Sequence, residues 1–421
     1  MRITDVRTTL LTGPCTNDPY LSKARQLRSA AFVEVFTEGK TVGIGETYAG
    51  YFIPEAVPLL VEFFKPILLG QTVEDIPALW ARMYHCGNFW CRVGLGASVL
   101  SGIEAALWDL KGKLEGKPVH VLLGGPKHEK LPCYATGGPS NYPKEELARK
   151  IDFYFSLGFK GLKVGAGSFS DSGWHLPTTP SEAADFEADK FAFMRAHAGP
   201  DAWLMMDAHM GNNHVATWKL ETALAVACAI EPYEPFFLEE PLHYTDPCGY
   251  AELCRKTDTP IAGGECLTAT CEWRVFSRED AFDIAQPDAS FTGGIGEFLA
   301  VAEMLGKRRR RVATHAWGAG ASLMQNIHAG FAARNTCILE MPPAYGGLHS
   351  DLIDGGLVMK DGCILPPDRP GLGIVLTDEI KRRYPFRPGT GEFNSVPGKV
   401  LKDVMPHPHR DEDVPAPTTR D

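Results

Sequence analysis

The sequence predicts a parallel α/β barrel preceded by an α+β domain, and three observations carry that expectation. From Leu131 onward, short apolar segments alternate with helical patterns, the rhythm that builds a parallel sheet. Inside that stretch three apolar runs each end in a carboxylate: residues 203–206 run into Asp207, 236–238 into Glu239 and 261–264 into Glu265. Their separations, about 32 and about 26 residues, suit one strand-plus-helix unit of a barrel of about 250 residues. Before Leu131 the order differs. Strands come first and helices second over about 125 residues, the pattern of an α+β unit.

Ile3-Thr4-Asp5-Val6-Arg7-Thr8-Thr9-Leu10 alternates as a strand, and residues 30–36 and 42–46 read as a hairpin closed by Thr37-Glu38-Gly39-Lys40. Between them residues 13–28 read as a long polar loop carrying Asp18, Tyr20, Lys23, Arg25 and Arg28. A loop of that length in a compact protein is a candidate lid, and Thr47-Tyr48-Ala49-Gly50-Tyr51 is a second. Helical patterns span residues 54–69, 75–84 and 94–114. In the last, Val99, Ile103, Ala106, Leu107 and Leu110 fall at helical spacing, and Gly116 and Pro118 stop it.

The alternating part opens with a strand at residues 131–135, a helix at 143–157 ended by Gly158, and a strand at 159–164. A turn-rich insert, 165–180, holds Trp174 and His175 and is placed to overhang the site. A helix at 181–197 then leads to the strand ending at Asp207. Further strands end at Asp288, His315 and Glu340. After Met341 the pattern loosens. Residues 346–369 are rich in Gly and Pro, and 406–421 read as a mobile or partner-draped tail whose His407 and His409 are not expected to bind metal.

A chain of 421 residues with 44% hydrophobic content suits two or three domains with a large core. The net charge of -10 argues against nucleic acid as a partner. The basic run Lys307-Arg308-Arg309-Arg310-Arg311 reads as a solvated helix C-terminus. No stretch has the length of a membrane span or the pattern of a signal peptide. Eleven cysteines without C-x-x-C spacing read as reduced thiols in a cytoplasm, and Cys266 as a small buried residue. There is no phosphate-loop, H-E-x-x-H or G-x-S-x-G motif, and Gly43-Ile44-Gly45 is only a fragment of a dinucleotide fingerprint.

Acids at the ends of parallel strands meet at the rim where a barrel keeps its active site. Three of them repel one another unless positive charge sits among them. Oxygen-only donors favour a hard cation, Mg²⁺ rather than zinc.

Ile103-Glu104-Ala105-Ala106-Leu107-Trp108-Asp109-Leu110-Lys111-Gly112-Lys113, with Gly116-Lys117-Pro118-Val119 and Leu122-Leu123-Gly124-Gly125, resembles a signature of the enolase superfamily, mandelate racemase group. So do Leu204-Met205-Met206-Asp207-Ala208, Leu238-Glu239-Glu240-Pro241, Gly264-Glu265, Gln286-Pro287-Asp288, the strand ending at His315, and Pro370-Gly371-Leu372-Gly373. The resemblance covers residues 1 to about 380 and implies a modified TIM-like (β/α) barrel under an N-terminal α+β capping domain. The expected boundaries are 1–125 for the cap with its lids, 126–345 for the barrel, and 346–421 for a segment returning to the cap. The chemistry implied is removal of a proton α to a carboxylate, with Mg²⁺ holding the resulting enediolate. Asp207, Glu239 and Glu265 match the metal ligands. His315 and Asp288 match the family's base and its orienting acid, and Glu340 matches a residue that hydrogen-bonds a substrate carboxylate.

Many members carry Lys-x-Lys on the second barrel strand. Here Lys163 matches the first lysine, and Gly165 stands where the second would be. Racemisation needs an acid and a base on opposite faces, whereas one histidine suffices to take an α-proton and protonate a departing β-hydroxyl. His209, two residues after Asp207, is either a second acid/base or a substrate contact. Asp18, Tyr20 and Trp317 are candidate substrate contacts, and Lys23, Arg25 and Arg28 could hold a distal carboxylate or hydroxyls.

The expectation is a cytoplasmic Mg²⁺-dependent dehydratase, a lyase that converts a sugar acid to a 2-keto-3-deoxy acid. The alternative is an epimerase or cycloisomerase working through the same enediolate, and a remote one is a non-enzymatic protein on the same fold. The resemblance also implies a homo-oligomer.

Overall fold

The computed structural model describes residues 1–21, 23–211 and 218–390. The tail from residue 406, with His407 and His409, lies outside the described residues. Strands β1 (Ile3–Pro14), β2 (Leu27–Thr37) and β3 (Val42–Thr47) form an antiparallel sheet in that order. β1 and β2 pair as far as Pro14 and Leu27, so the expected loop at residues 13–28 is shorter than its polarity suggests. Arg28 is a strand residue, 1% exposed. β2 is covered on both faces, and a strand buried on both sides loses the alternation that would mark it.

Helices Val57–Leu68, Ile76–Cys86 and Leu95–Glu115 follow. Asp75 starts the second by accepting from Ala78 N at 3.0 Å, and Gly116 ends the third in the left-handed region at φ +65°. The third helix is buried along most of its length because β3 lies directly on it. A Cβ on Gly45 would stand 2.2 Å from Gly102 O. Asp109 on this helix accepts from Ile44 N and from Leu372 N, each at 2.8 Å, so the late segment around residue 372 packs back onto the first domain.

The barrel begins with β4 (Leu131–Thr136) and β5 (Gly161–Gly165). The insert after β5 holds a small antiparallel ribbon, β6 (Ser168–Ser170) and β7 (Gly173–His175). Trp174 Nε1 anchors it to Ala166 O at 3.1 Å, beside the end of β5. The circuit continues through β8 (Trp203–Asp207), β9 (Phe237–Glu239), β10 (Ile261–Gly263), β11 (Ile284–Ala285), β12 (Arg311–Ala313) and β13 (Thr336–Met341). All eight strands run parallel, and β13 closes on β4. A short hairpin of β14 (Met359–Lys360) and β15 (Cys363–Ile364) adds antiparallel to the start of β4. Among the described residues no helix is long and apolar enough to cross a membrane.

Inside the barrel, Tyr134, Met205, Phe237, Ala262, Ile284, Ala313 and Ile338 form one packed cluster. Side chains on a strand face the same way every second residue. Two positions beyond Met205, Phe237, Ile284, Ala313 and Ile338 stand Asp207, Glu239, Gln286, His315 and Glu340. The same period that buries the apolar floor therefore aims a polar layer at the mouth above it.

Candidate active site

Asp207 closes β8 and Glu239 closes β9, while Glu265 stands two residues beyond β10. Gly264 makes that last turn at φ +109°, where a Cβ would meet the Trp273 ring at 2.2 Å. Each of the three carboxylates offers an oxygen within 4.8 Å of the others. Glu239 Oε2 accepts from Lys163 Nζ at 2.6 Å, and Glu239 Oε1 is buried with no partner among the described residues. Burial, then the neighbouring Asp207 and Glu265 charges, raise the Glu239 carboxyl well above its ordinary range. An unpartnered buried oxygen inside an all-carboxylate donor set fits a hard divalent cation, with Asp207, Glu239 and Glu265 as the holders.

Lys163, on β5, supplies the positive charge among them. It also lies 3.1 Å from Glu340 Oε1 and 3.3 Å from Asp207 Oδ2. Burial works against its ammonium, but the ring of carboxylates outweighs burial and raises its pKa well above the usual lysine value. Glu340 Oε2 accepts from Ala316 N at 2.7 Å. Burial pushes the Glu340 carboxyl up, and Lys163 and His315 more than offset it, holding it at about 2.

His315 lies two residues past β12, and Asp288 three past β11. Nδ1 of His315 is 2.8 Å from Asp288 Oδ2, and Nε2 is 3.5 Å from Glu265 Oε2. Burial disfavours the imidazolium, yet Glu265, Asp288 and Glu340 dominate and raise its pKa to about 10. Residues 47–51 reach this pair directly: the Tyr48 ring packs 5.4 Å from the His315 ring. Asp207, Glu239, Glu265, Lys163, Asp288, His315 and Glu340 therefore come together at one mouth.

His209 adopts a left-handed backbone at φ +52°, with Nε2 3.1 Å from Asp207 Oδ2 and its side chain half exposed. Gly165 pairs with Asp207 across β5 and β8. A Cβ there would find only ordinary contacts, 3.4 Å from Gly138 O, so packing does not require glycine.

The lid residues divide differently from the sequence expectation. Asp18 is buried, accepting from the Tyr154 hydroxyl at 2.5 Å and from Tyr20 N at 2.9 Å. Tyr20 packs on Phe153, with ring centroids 5.9 Å apart. Both tie this segment to helix Lys144–Ser156. Arg28 stacks on the Trp317 ring at 3.7 Å and donates to Trp317 O, clamping the loop that follows His315. Arg25 Nη1 lies close to Gly138, and Lys23 is described in its backbone alone.

Sequence reasoning missed Glu46, Gln286 and Asn326. Gln286 was discoverable from the period of two, since it follows Ile284 on the inward face of β11. Its amide is buried, with neither atom partnered among the described residues. Glu46 and Asn326 owe their place to contacts with residues far along the chain, and carry no local signal.

The family profile for the mandelate racemase/muconate lactonizing enzyme N-terminal domain matches residues 15–124, and the enolase C-terminal domain-like profile matches residues 146–380. An arabinonate dehydratase of Saccharolobus solfataricus is 32% identical over 83% of this chain and 89% of its own. A 3,6-anhydro-alpha-L-galactonate cycloisomerase of Streptomyces coelicolor is 30% identical over 82% and 87%. The crystal structure of L-talarate dehydratase from Polaromonas sp. JS666, complexed with Mg and L-glucarate, superposes with a TM-score of 0.76 at 28% identity, covering 91% of this chain and 98% of that one. With both domains matched in order and the barrel closed beneath the cap, the chain is an enzyme and belongs to the mandelate racemase group of the enolase superfamily.

Proposed function

We propose that the protein is a Mg²⁺-dependent dehydratase of a sugar acid that forms a 2-keto-3-deoxy acid. The observation that carries this reading is a carboxylate triad facing one histidine base, with glycine at position 165. Bound at Asp207, Glu239 and Glu265, Mg²⁺ supplies positive charge where negative charge develops on the substrate carboxylate.

Lys163 and Glu340 border that position and orient the carboxylate. His315 Nε2 takes the α-proton while Asp288 holds Nδ1, fixing the ring's direction. The C–H electron pair first moves onto the substrate carboxylate, and then returns to form the Cα–Cβ double bond as the β C–O bond breaks. The protonated His315 returns its proton to the leaving hydroxyl, which departs as water. The enol left behind tautomerises to the 2-keto acid.

One observation favours a second reading. His209 is half exposed, with Nε2 3.1 Å from Asp207 Oδ2, which supports a second acid/base and so a cycloisomerase or epimerase. Eleven cysteines without C-x-x-C spacing support a reducing cytoplasm, and the family likeness supports a homo-oligomer.

The test is a library of acid sugars assayed for keto acid, with and without Mg²⁺, on the wild type and His315→Asn. Metal-dependent keto acid that is lost in the variant supports the dehydratase. Exchange of the α-proton in D₂O without keto acid would replace it with the second reading.

A further inference from the structure

We propose that Glu46 and Asn326 are positioning residues for the Asp288–His315 pair, so that the capping domain sets the aim of the imidazole. The inference rests on the reading of His315 as the base. It starts from the oxygen of Asp288 that does not face the histidine. Asp288 Oδ1 accepts from Ser290 N at 2.7 Å, Ser290 Oγ at 2.6 Å and Asn326 Nδ2 at 2.8 Å. Asn326 also accepts from Ala289 N at 2.7 Å, gripping the backbone next to Asp288. Three donors on one oxygen fix the plane of the carboxylate and hence the direction of Oδ2 toward His315.

Asn326 lies on helix Gly320–Ala332, which starts five residues after His315. That helix has no side-chain cap of its own at Ala319. Glu46, from β3 of the capping domain, takes the place of one: it accepts from Ala319 N at 2.7 Å and from Ser322 N at 2.8 Å. Gln325 brackets the Glu46 backbone, accepting from its N–H at 2.7 Å and donating to its carbonyl at 3.1 Å. Ser322 Oγ then meets Ser290 Oγ at 2.7 Å, and Tyr48 N donates to Ser290 O at 2.9 Å. One end of a capping strand thus holds both the helix and the loop that frame Asp288. All these groups are buried, so each loss leaves a polar partner unmet.

The test compares Asn326→Leu, Glu46→Gln and the double variant with the full-length wild type. Two measurements are taken: the ¹H–¹⁵N signal of His315 Nδ1–H, the proton that faces Asp288 whether the ring is charged or neutral, and steady-state kinetics on any substrate that turns over. Positioning predicts that this signal shifts and broadens as the bond to Asp288 loosens. It also predicts that kcat falls about 10- to 100-fold, with KM and Mg²⁺ affinity within about twofold. The two single effects should be non-additive, because both act through one helix. Unchanged His315 signals overturn the proposal. So does a fall in kcat matched by equal losses in KM and metal affinity. If the wild type isomerises its substrate without forming keto acid, the dehydratase reading fails while these comparisons still decide the positioning.

Discussion

Lys163 Nζ donates to Glu239 Oε2 at 2.6 Å from inside the barrel, so one oxygen of that carboxylate is held by a fixed ammonium and the other meets no partner among the described residues. The lysine acts as a permanent partial counter-charge to the triad.

Replacing it tests that role. Lys163→Met leaves buried carboxylates without their partner, which costs about 3 kcal/mol of stability. The same loss makes the triad more negative, so Mg²⁺ should raise the melting temperature more in the variant than in the wild type. Thermal unfolding in EDTA and in Mg²⁺ measures both effects, and weaker Mg²⁺ stabilisation in the variant would sink the idea.

His315 should titrate differently with and without the cation. Free of metal, its pKa is raised to about 10, mainly by Glu265 acting against burial. A folded-state pKa above the unfolded value of about 6.5 gives stability that is full below that pH and is lost as pH rises through about 10. A cation on Glu265 removes much of this pull, so Mg²⁺ should move the titration downward. NMR of the imidazole in EDTA and in Mg²⁺ reads the direction; an upward move or none counts against cation binding at Glu265.

Acid should destabilise the fold through a second histidine pair. His120 N and Nδ1 approach His328 Nδ1 at 3.2 and 3.0 Å, joining the end of the capping domain to helix Gly320–Ala332. Burial lowers the His120 pKa to about 4, and burial with the neighbouring His120 lowers that of His328 to about 3. Folded pKa values below the unfolded one give stability that is full above about pH 6.5 and lost as pH falls toward 4 and 3. The expected slope is about 1.4 kcal/mol per pH unit for each histidine in that window. Melting temperatures from pH 7 to 5 should therefore fall, and less so in His328→Gln after correction for its own cost.

Gly165→Lys tests the empty position. Since a Cβ there meets only ordinary contacts, the variant should fold. The introduced amine should then allow α-proton exchange from the second face. Mass spectrometry of substrate recovered from D₂O detects it, and exchange no faster than in the wild type would show that Gly165 does not limit the chemistry.

The carboxylate triad and the histidine facing it were legible because the strand period exposes them: each carboxylate or imidazole follows an apolar run whose inward face is already fixed. The lid was less so. Arg28 reads as loop, and becomes strand only because β1 pairs with β2 all the way to Pro14. Asp18 looks like a ligand contact, and its partner, Tyr154, lies 136 residues away. Glu46 is the extreme case. Its acceptors are satisfied at Ala319 and Ser322, 273 and 276 residues downstream, and no local pattern encodes such a pairing.

The bond from Leu372 N to Asp109 Oδ1 spans 263 residues. During synthesis, the helix that carries Asp109 leaves the ribosome long before its last partner exists. Until residue 372 emerges, Asp109 has Ile44 and Lys113 on Oδ2 but lacks the backbone donor that Oδ1 meets in the fold, and the first domain waits without that tie. The cap is written first and finished last, so a chain truncated before that point leaves the cap incomplete even where every active-site residue is present.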